Sequence, residues 1–184
     1  MIRAALILPF LAWTDEKDFF PIKNGTKWVY DSAGQDLTVT VSGTAKVAEK
    51  ECVVFKKEWT GGSSKEYYSV TDQGVFLHRL EADKTTEFPD NPVPRLKFGL
   101  KKGEFWEWKQ DIQNGKYEHR GEEEIEVPAG KYKCWKVHVE ASSGDMKYSV
   151  TRWFASGVGL VKEVMSRDGK DRVMELKRFE AAKE

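Results

Sequence analysis

The side chains of this sequence best suited to nucleophilic, acid–base or metal chemistry are two cysteines, Cys52 and Cys134, and three histidines, His78, His119 and His138. A catalytic thiol needs a neighbouring base to hold it as a thiolate, and no local pattern supplies one. Tetrahedral metal sites recur as close Cys and His spacings such as CxxC or HxxxH, and neither occurs here. The histidines are far apart, each within a strand-like segment, and His138 alternates with Lys136 as a solvent-facing residue does. The densest acidic run, Glu122-Glu123-Glu124 with Glu126, lacks the alternating Asp or Asn and the tight Gly turn of a calcium loop. It reads as the solvated face of a strand whose other side carries Ile125 and Val127. Gly61-Gly62-Ser63-Ser64 reads as a hairpin loop, and Ala155 to Gly159 lacks the Lys and following helix of a phosphate cradle. No catalytic group, metal site or cofactor is therefore expected.

What remains is aromatic. The chain carries seven Trp, six Tyr and ten Phe, set among Val and Thr in alternating segments. That composition favours strands. Large aromatics fill thick β cores, and they also line sites for apolar ligands. Trp28, Tyr30, Trp106, Trp108, Trp135 and Trp153 are the candidates for such a site, with Phe55, Trp59 and Tyr68 in the same aromatic set. A concave face holding a lipid tail is the functional reading. The core of a curved sheet is the architectural one, favoured by the pairing of Trp28/Tyr30 with Trp106/Trp108, since one pocket needs no second copy.

Those pairs belong to an internal repeat. Phe20, Lys23, Gly25 and Trp28 recur as Phe98, Lys101, Gly103 and Trp106 at a constant offset of 78, which still relates Gly43 and Val47 to Gly121 and Ile125. Cys52 matches Cys134 at offset 82, and Tyr68 and Gly74 match Trp153 and Gly159 at offset 85. Each copy reads as a Lys-x-Gly turn, a strand with Trp-x-aromatic on one face, and then further strands punctuated by glycine. Leu37, Val39 and Val41 alternate with polar residues, as do Trp135, Val137 and Val139. Asp168-Gly169 has the chemistry of a two-residue hairpin turn. The expected fold is all-β, an antiparallel meander of about a dozen strands curled into a barrel or half-barrel. It divides into repeat one over about 19–80, a Pro-rich connection over about 81–95, and repeat two over about 96–179.

Lys plus Arg number 30 and Asp plus Glu number 30. A net charge of zero argues against a nucleic-acid surface and against a polybasic membrane surface. Arg3 followed by the apolar run Ala4 to Trp13 matches a secretory signal peptide, residues 1–14, ahead of a single β domain over 15–184. The run is too short to span a bilayer, which takes about 20 residues, so no transmembrane segment is expected. Export to the periplasm or outside the cell would permit a Cys52–Cys134 disulfide. Both cysteines occupy the same repeat position, on the face opposite Val53 and Trp135, so they pair only if the equivalent strands meet near the barrel axis. Two unpaired, partly buried thiols are the alternative.

Phe98 to Trp106, Val127 to Val137 and Trp153 to Lys162 carry a further likeness. With them the chain resembles a loose group of uncharacterised exported bacterial proteins and lipoproteins, distantly like carriers of the LolA/LolB type. The resemblance implies a curled sheet, extends over nearly the whole chain after its first residues, and brings no catalytic residues with it. The expected function is a non-enzymatic exported β domain holding a lipid or apolar ligand on its concave face. The alternative is a module that docks another protein of the cell envelope.

Overall fold

The computed structural model describes residues 15–183, so the N-terminal apolar segment lies outside the described residues. One short 3-10 turn, Glu16–Phe19, precedes thirteen strands. The first half contributes β1 (Lys27–Ser32), β2 (Gln35–Val47), β3 (Lys50–Trp59), β4 (Gly62–Thr71) and β5 (Gly74–Glu81). Two short strands follow, β6 (Thr85–Glu87) and β7 (Val93–Lys97). The second half contributes β8 (Phe105–Gln110), β9 (Gln113–Val127), β10 (Gly130–Ser143), β11 (Met146–Ala155), β12 (Gly159–Arg167) and β13 (Lys170–Glu180).

All thirteen belong to one antiparallel sheet with the order β6-β5-β4-β3-β2-β1-β13-β12-β11-β10-β9-β8, and β7 pairs with β5 beyond the end of β6. The two halves join in the middle, where β1 pairs with β13. The sheet curls without closing into a half-barrel. The loop between β6 and β7 reaches across the gap to β8: Phe88 packs edge-on against Trp108, whose Nε1 donates to the Asn91 carbonyl at 3.1 Å. Asn91 in turn donates from Nδ2 to the Lys109 carbonyl at 2.7 Å. The segment 81–95, which its three prolines suggest is a plain connection, is therefore partly strand. Pro94 is tolerated in β7 because an edge strand has one side without ladder bonds.

Turn chemistry sets these hairpins. Asp168 and Gly169 have φ of 51° and 72°, the left-handed pair that matches the twist of a tight hairpin. The Lys-x-Gly turns close alike in the two halves. Gly25 donates to Val41 at 2.9 Å and Thr26 to Lys23 at 3.0 Å; Gly103 donates to His119 at 2.7 Å and Glu104 to Lys101 at 3.0 Å.

The 3-10 turn plugs one end of the half-barrel. Gly157 donates its N–H to the Asp18 carbonyl at 2.9 Å, Gly99 donates to the Glu16 carboxylate at 2.5 Å, and Lys17 pairs with Asp72 at 2.6 Å. Those partners belong to three separate turns. The plug drives Phe19 inward to stack on Trp135, with ring centroids 4.0 Å apart, and Phe20 onto Phe55 and Tyr68 at 5.0 and 5.3 Å.

The two cysteines do not pair. Cys52 is buried in a small cluster with Val47, Val54 and Tyr67, whereas Cys134 belongs to the main core, and both are free thiols. Five strands separate β3 from β10 in the sheet order, each step about 4.8 Å, so a Cys52–Cys134 bridge is out of reach. Among the described residues no helix is long and apolar enough to cross a membrane.

Candidate functional site

The concave interior is uneven. On the β8–β10 side it is filled by side chains: Trp106 stacks on Tyr117 with centroids 4.9 Å apart, and Val137, Val139 and Leu96 are fully buried around them. On the β1–β4 side it holds a cavity of about 590 Å³, within the ~300–1,000 Å³ range of small-molecule sites.

Strand alternation builds the cavity. Inward positions two residues apart supply Trp28 and Tyr30 from β1, Leu37 and Val39 from β2, Phe55 and Lys57 from β3, and Glu66 and Tyr68 from β4. Phe20 and Pro21 of the plug form the floor with Phe55 and Trp28. From the floor the cavity extends towards the β1–β2 and β12–β13 turns, where Gln35, Asp36 and Arg172 are exposed. Trp28 Nε1 donates to the Val158 carbonyl at 2.6 Å and Tyr30 Oη to the Leu160 carbonyl at 2.8 Å. Their polar atoms are thereby spent, and the rings offer only apolar surface to the cavity. The part of the β1–β2–β13 wall formed by Trp28, Leu37, Val39 and Met174 is therefore apolar, while Ser32, Gln35, Asp36 and Arg172 line its end near the turns.

The facing wall is charged. Glu66, almost fully buried, accepts from Lys57 Nζ at 2.8 Å, from Arg95 at 3.4 Å and from Tyr68 Oη at 2.5 Å, while Arg95 Nε donates to Tyr68 Oη at 3.1 Å. Burial raises the Glu66 pKa, but Lys57, Arg95 and the hydrogen bonds from Lys57 and Tyr68 more than reverse this and hold the carboxyl down at about 2. Across the interior Arg152 Nε donates to Glu163 at 2.7 Å. Burial pushes Glu163 up; Arg152, Arg95 and Lys57 outweigh it, so this carboxylate too sits below its ordinary range. Burial also pushes the Tyr68 hydroxyl far above its ordinary value, so it acts as a donor.

Of the six aromatic candidates, two line the cavity, Trp28 and Tyr30. Trp106 and Trp108 pack into the filled half. Trp135 is committed to Phe19 beside the plug. Trp153 lies between the inward Arg152 and Phe154, hence on the convex face, covered by the ammonium groups of Lys136 and Lys162 at 5.2 and 5.9 Å from its ring. Trp59, half-exposed near the mouth, is the further tryptophan of the lining. The charged wall was not among the sequence candidates. Its signal is a charge placed two residues from an inward aromatic: Lys57 after Phe55, Glu66 before Tyr68, Arg152 before Phe154.

The remaining polar candidates stay structural. Glu122, Glu123 and Glu126 are exposed and pair across the ladder with Lys133, Lys136 and Lys131. His138 accepts or donates at Thr151 Oγ1, 2.9 Å away, and His119 is buried edge-on against Trp135 with centroids 5.2 Å apart. Among the described residues no group of His, Cys, Asp and Glu is placed to hold a metal ion.

The fold and site define a class: a half-barrel of one antiparallel sheet, plugged at one end, with a mixed apolar and charged cavity along half its length. The chain belongs to the DUF3108-like family, whose model matches residues 78–175. No curated protein matches it. Two solved structures share the fold. A Bacteroides fragilis protein described as exported, with a YmcC-like fold, superposes with a TM-score of 0.56 at 16% identity, over 89% of this chain and 99% of its own. A Parabacteroides distasonis protein described as a lipoprotein gives a TM-score of 0.52 at 16% identity, over 88% of this chain and 98% of its own.

Proposed function

We propose that this protein is a non-enzymatic carrier or sensor domain of the bacterial cell envelope that holds a lipid or other apolar ligand in its half-barrel. The observation that carries the reading is the cavity of about 590 Å³ with an apolar stretch of wall made by Trp28, Tyr30, Leu37, Val39 and Met174. An open apolar volume of that size forfeits dispersion contacts that a filled core would make, and a ligand restores them. The exported and lipoprotein descriptions of the two structural neighbours support an envelope location. The test is a titration with N-phenyl-1-naphthylamine, a neutral apolar dye that brightens on leaving water. Saturable one-to-one binding is expected in the wild type and its loss in Leu37→Trp, which fills the cavity from the apolar wall. A wild type that gives no saturable signal contradicts the reading.

A second reading, docking of an envelope protein, is favoured by one observation. Among the described residues β8 ends the sheet with one ladder side unpaired by any strand, and Phe105 at its start is 55% exposed. Concentration-dependent self-association or a specific envelope partner lost in Phe105→Lys would support it.

A further inference from the structure

We infer that the cavity takes a single-chain amphiphile with an anionic head group, carboxylate or phosphate, whose head seats against Arg152 and Arg95 while its chain lies along the β1–β2–β13 wall. The inference rests on the reading of the cavity as an apolar ligand site and adds the chemistry and direction of the ligand.

Three features carry it. First, the interior charges do not balance: Lys57, Arg95 and Arg152 face only two carboxylates, Glu66 and Glu163. Arg152 keeps only a tenth of its side-chain exposure and Lys57 and Arg95 about a quarter, and an excess cation withdrawn from water in this way gains from an anion that joins it. Second, the excess reaches the cavity. Arg152 is buried and lines it, with Nε donating to Glu163 at 2.7 Å. The end-on N–H edge of a guanidinium held through Nε matches a carboxylate or a phosphate. Third, the cavity is two-sided, with rings and aliphatic chains opposite the charges, and Trp28 and Tyr30 have already given their polar atoms to backbone carbonyls. A wholly apolar ligand would leave the excess positive charge without a counter-ion, and a small anion would leave the aromatic wall bare.

The experiment uses the purified full chain and displacement of N-phenyl-1-naphthylamine by dodecanoate, dodecyl phosphate, dodecanol and dodecyltrimethylammonium, each below its micelle concentration. Their chains are identical, so affinity differences report the head group. Dodecanoate or dodecyl phosphate is expected to bind about tenfold or more tighter than dodecanol, the worth of a charge-assisted hydrogen bond. A carboxylate preference points to a fatty acid and a phosphate preference to a lysophospholipid-type ligand; either supports the inference. Arg152→Gln is expected to bring the affinity of the anionic pair down to that of dodecanol in the same variant, while Arg152→Lys keeps part of the difference. Equal affinity for the four, or tightest binding of the ammonium, overturns the inference and leaves the apolar-ligand reading standing. Dye binding that none of the four displaces overturns the inference, and an absence of dye binding overturns both. Should Arg152→Gln fail to fold, the wild-type series decides alone.

Discussion

Glu66→Gln removes one negative charge and changes almost nothing in shape, which isolates the electrostatics of the cavity wall. In the wild type this carboxylate is 2.8 Å from Lys57 Nζ and 3.4 Å from Arg95, and it accepts from Tyr68. Gln has one acceptor oxygen where Glu has two, and its amide nitrogen turns a donor towards Lys57 or Arg95. Breaking a buried pair from one side costs about 3–5 kcal/mol, because the remaining charges keep their desolvation penalty. For a chain of this length that is a fall in Tm of about 10 °C. The pH dependence is sharper still. The folded protein keeps Glu66 ionised down to about pH 2, whereas the free carboxyl takes up its proton near 4.5, so the unfolded chain binds more protons between those values. Stability contributed by Glu66 is thus complete above about 4.5 and disappears as pH falls, by about 2 kcal/mol at pH 3 and about 3 kcal/mol at pH 2. Urea unfolding at neutral pH and near pH 3 measures both effects. The Gln variant should start lower and lose about 2 kcal/mol less on acidification. A variant as stable as wild type at neutral pH, with the same acid loss, would refute the account of this wall.

His119 is buried with neither ring nitrogen hydrogen-bonded among the described residues, and burial holds its pKa below the ordinary 6.5 against the opposing pull of Glu16, Glu122 and Glu104. The unfolded chain therefore gains a proton first and stability falls as pH drops below about 6.5; His78 and His138 are shifted the same way by burial, so His119→Phe should reduce that slope by its own share and add about 1 kcal/mol, read by denaturant melts. Gly74 has φ of 144°, and a Cβ there would lie 2.2 Å from the Leu96 carbonyl oxygen. Gly74→Ala should push β7 off β5, cost about 3 kcal/mol, and expose the β7 amides to hydrogen exchange. Burial raises the pKa of Cys52 and pushes Cys134 up to about 12, so neither thiol should react with a thiol reagent in the native protein and both should react in denaturant.

The fold was legible where local pattern and tertiary burial agree. Alternation around Val39, Val137 and their neighbours marks inward faces, and Asp168-Gly169 marks a hairpin, because both signals are local. The site was half legible. Trp28 and Tyr30 could be named from type and spacing, but Trp106 and Trp108 have the same spacing and lie in the filled half. Only the packing of Leu96, Tyr117 and Val139 against them separates core from cavity, and such contacts are far apart in sequence. Arg95 was hidden most thoroughly. Its neighbours Pro92 and Pro94 suggest a linker, and only the pairing of β7 with β5 turns it inward beside Glu66. The charged wall as a whole breaks the rule that inward strand positions are apolar, as functional sites do.

The most direct test of the central claim is native mass spectrometry of the protein purified from its own envelope fraction, set against the same sample denatured. The account predicts one extra mass in the native spectrum, lost on denaturation and matching a single-chain anionic amphiphile, on a chain with no two-dalton deficit at its cysteines. A bare chain mass in both spectra, from protein that also binds no apolar dye, would contradict it.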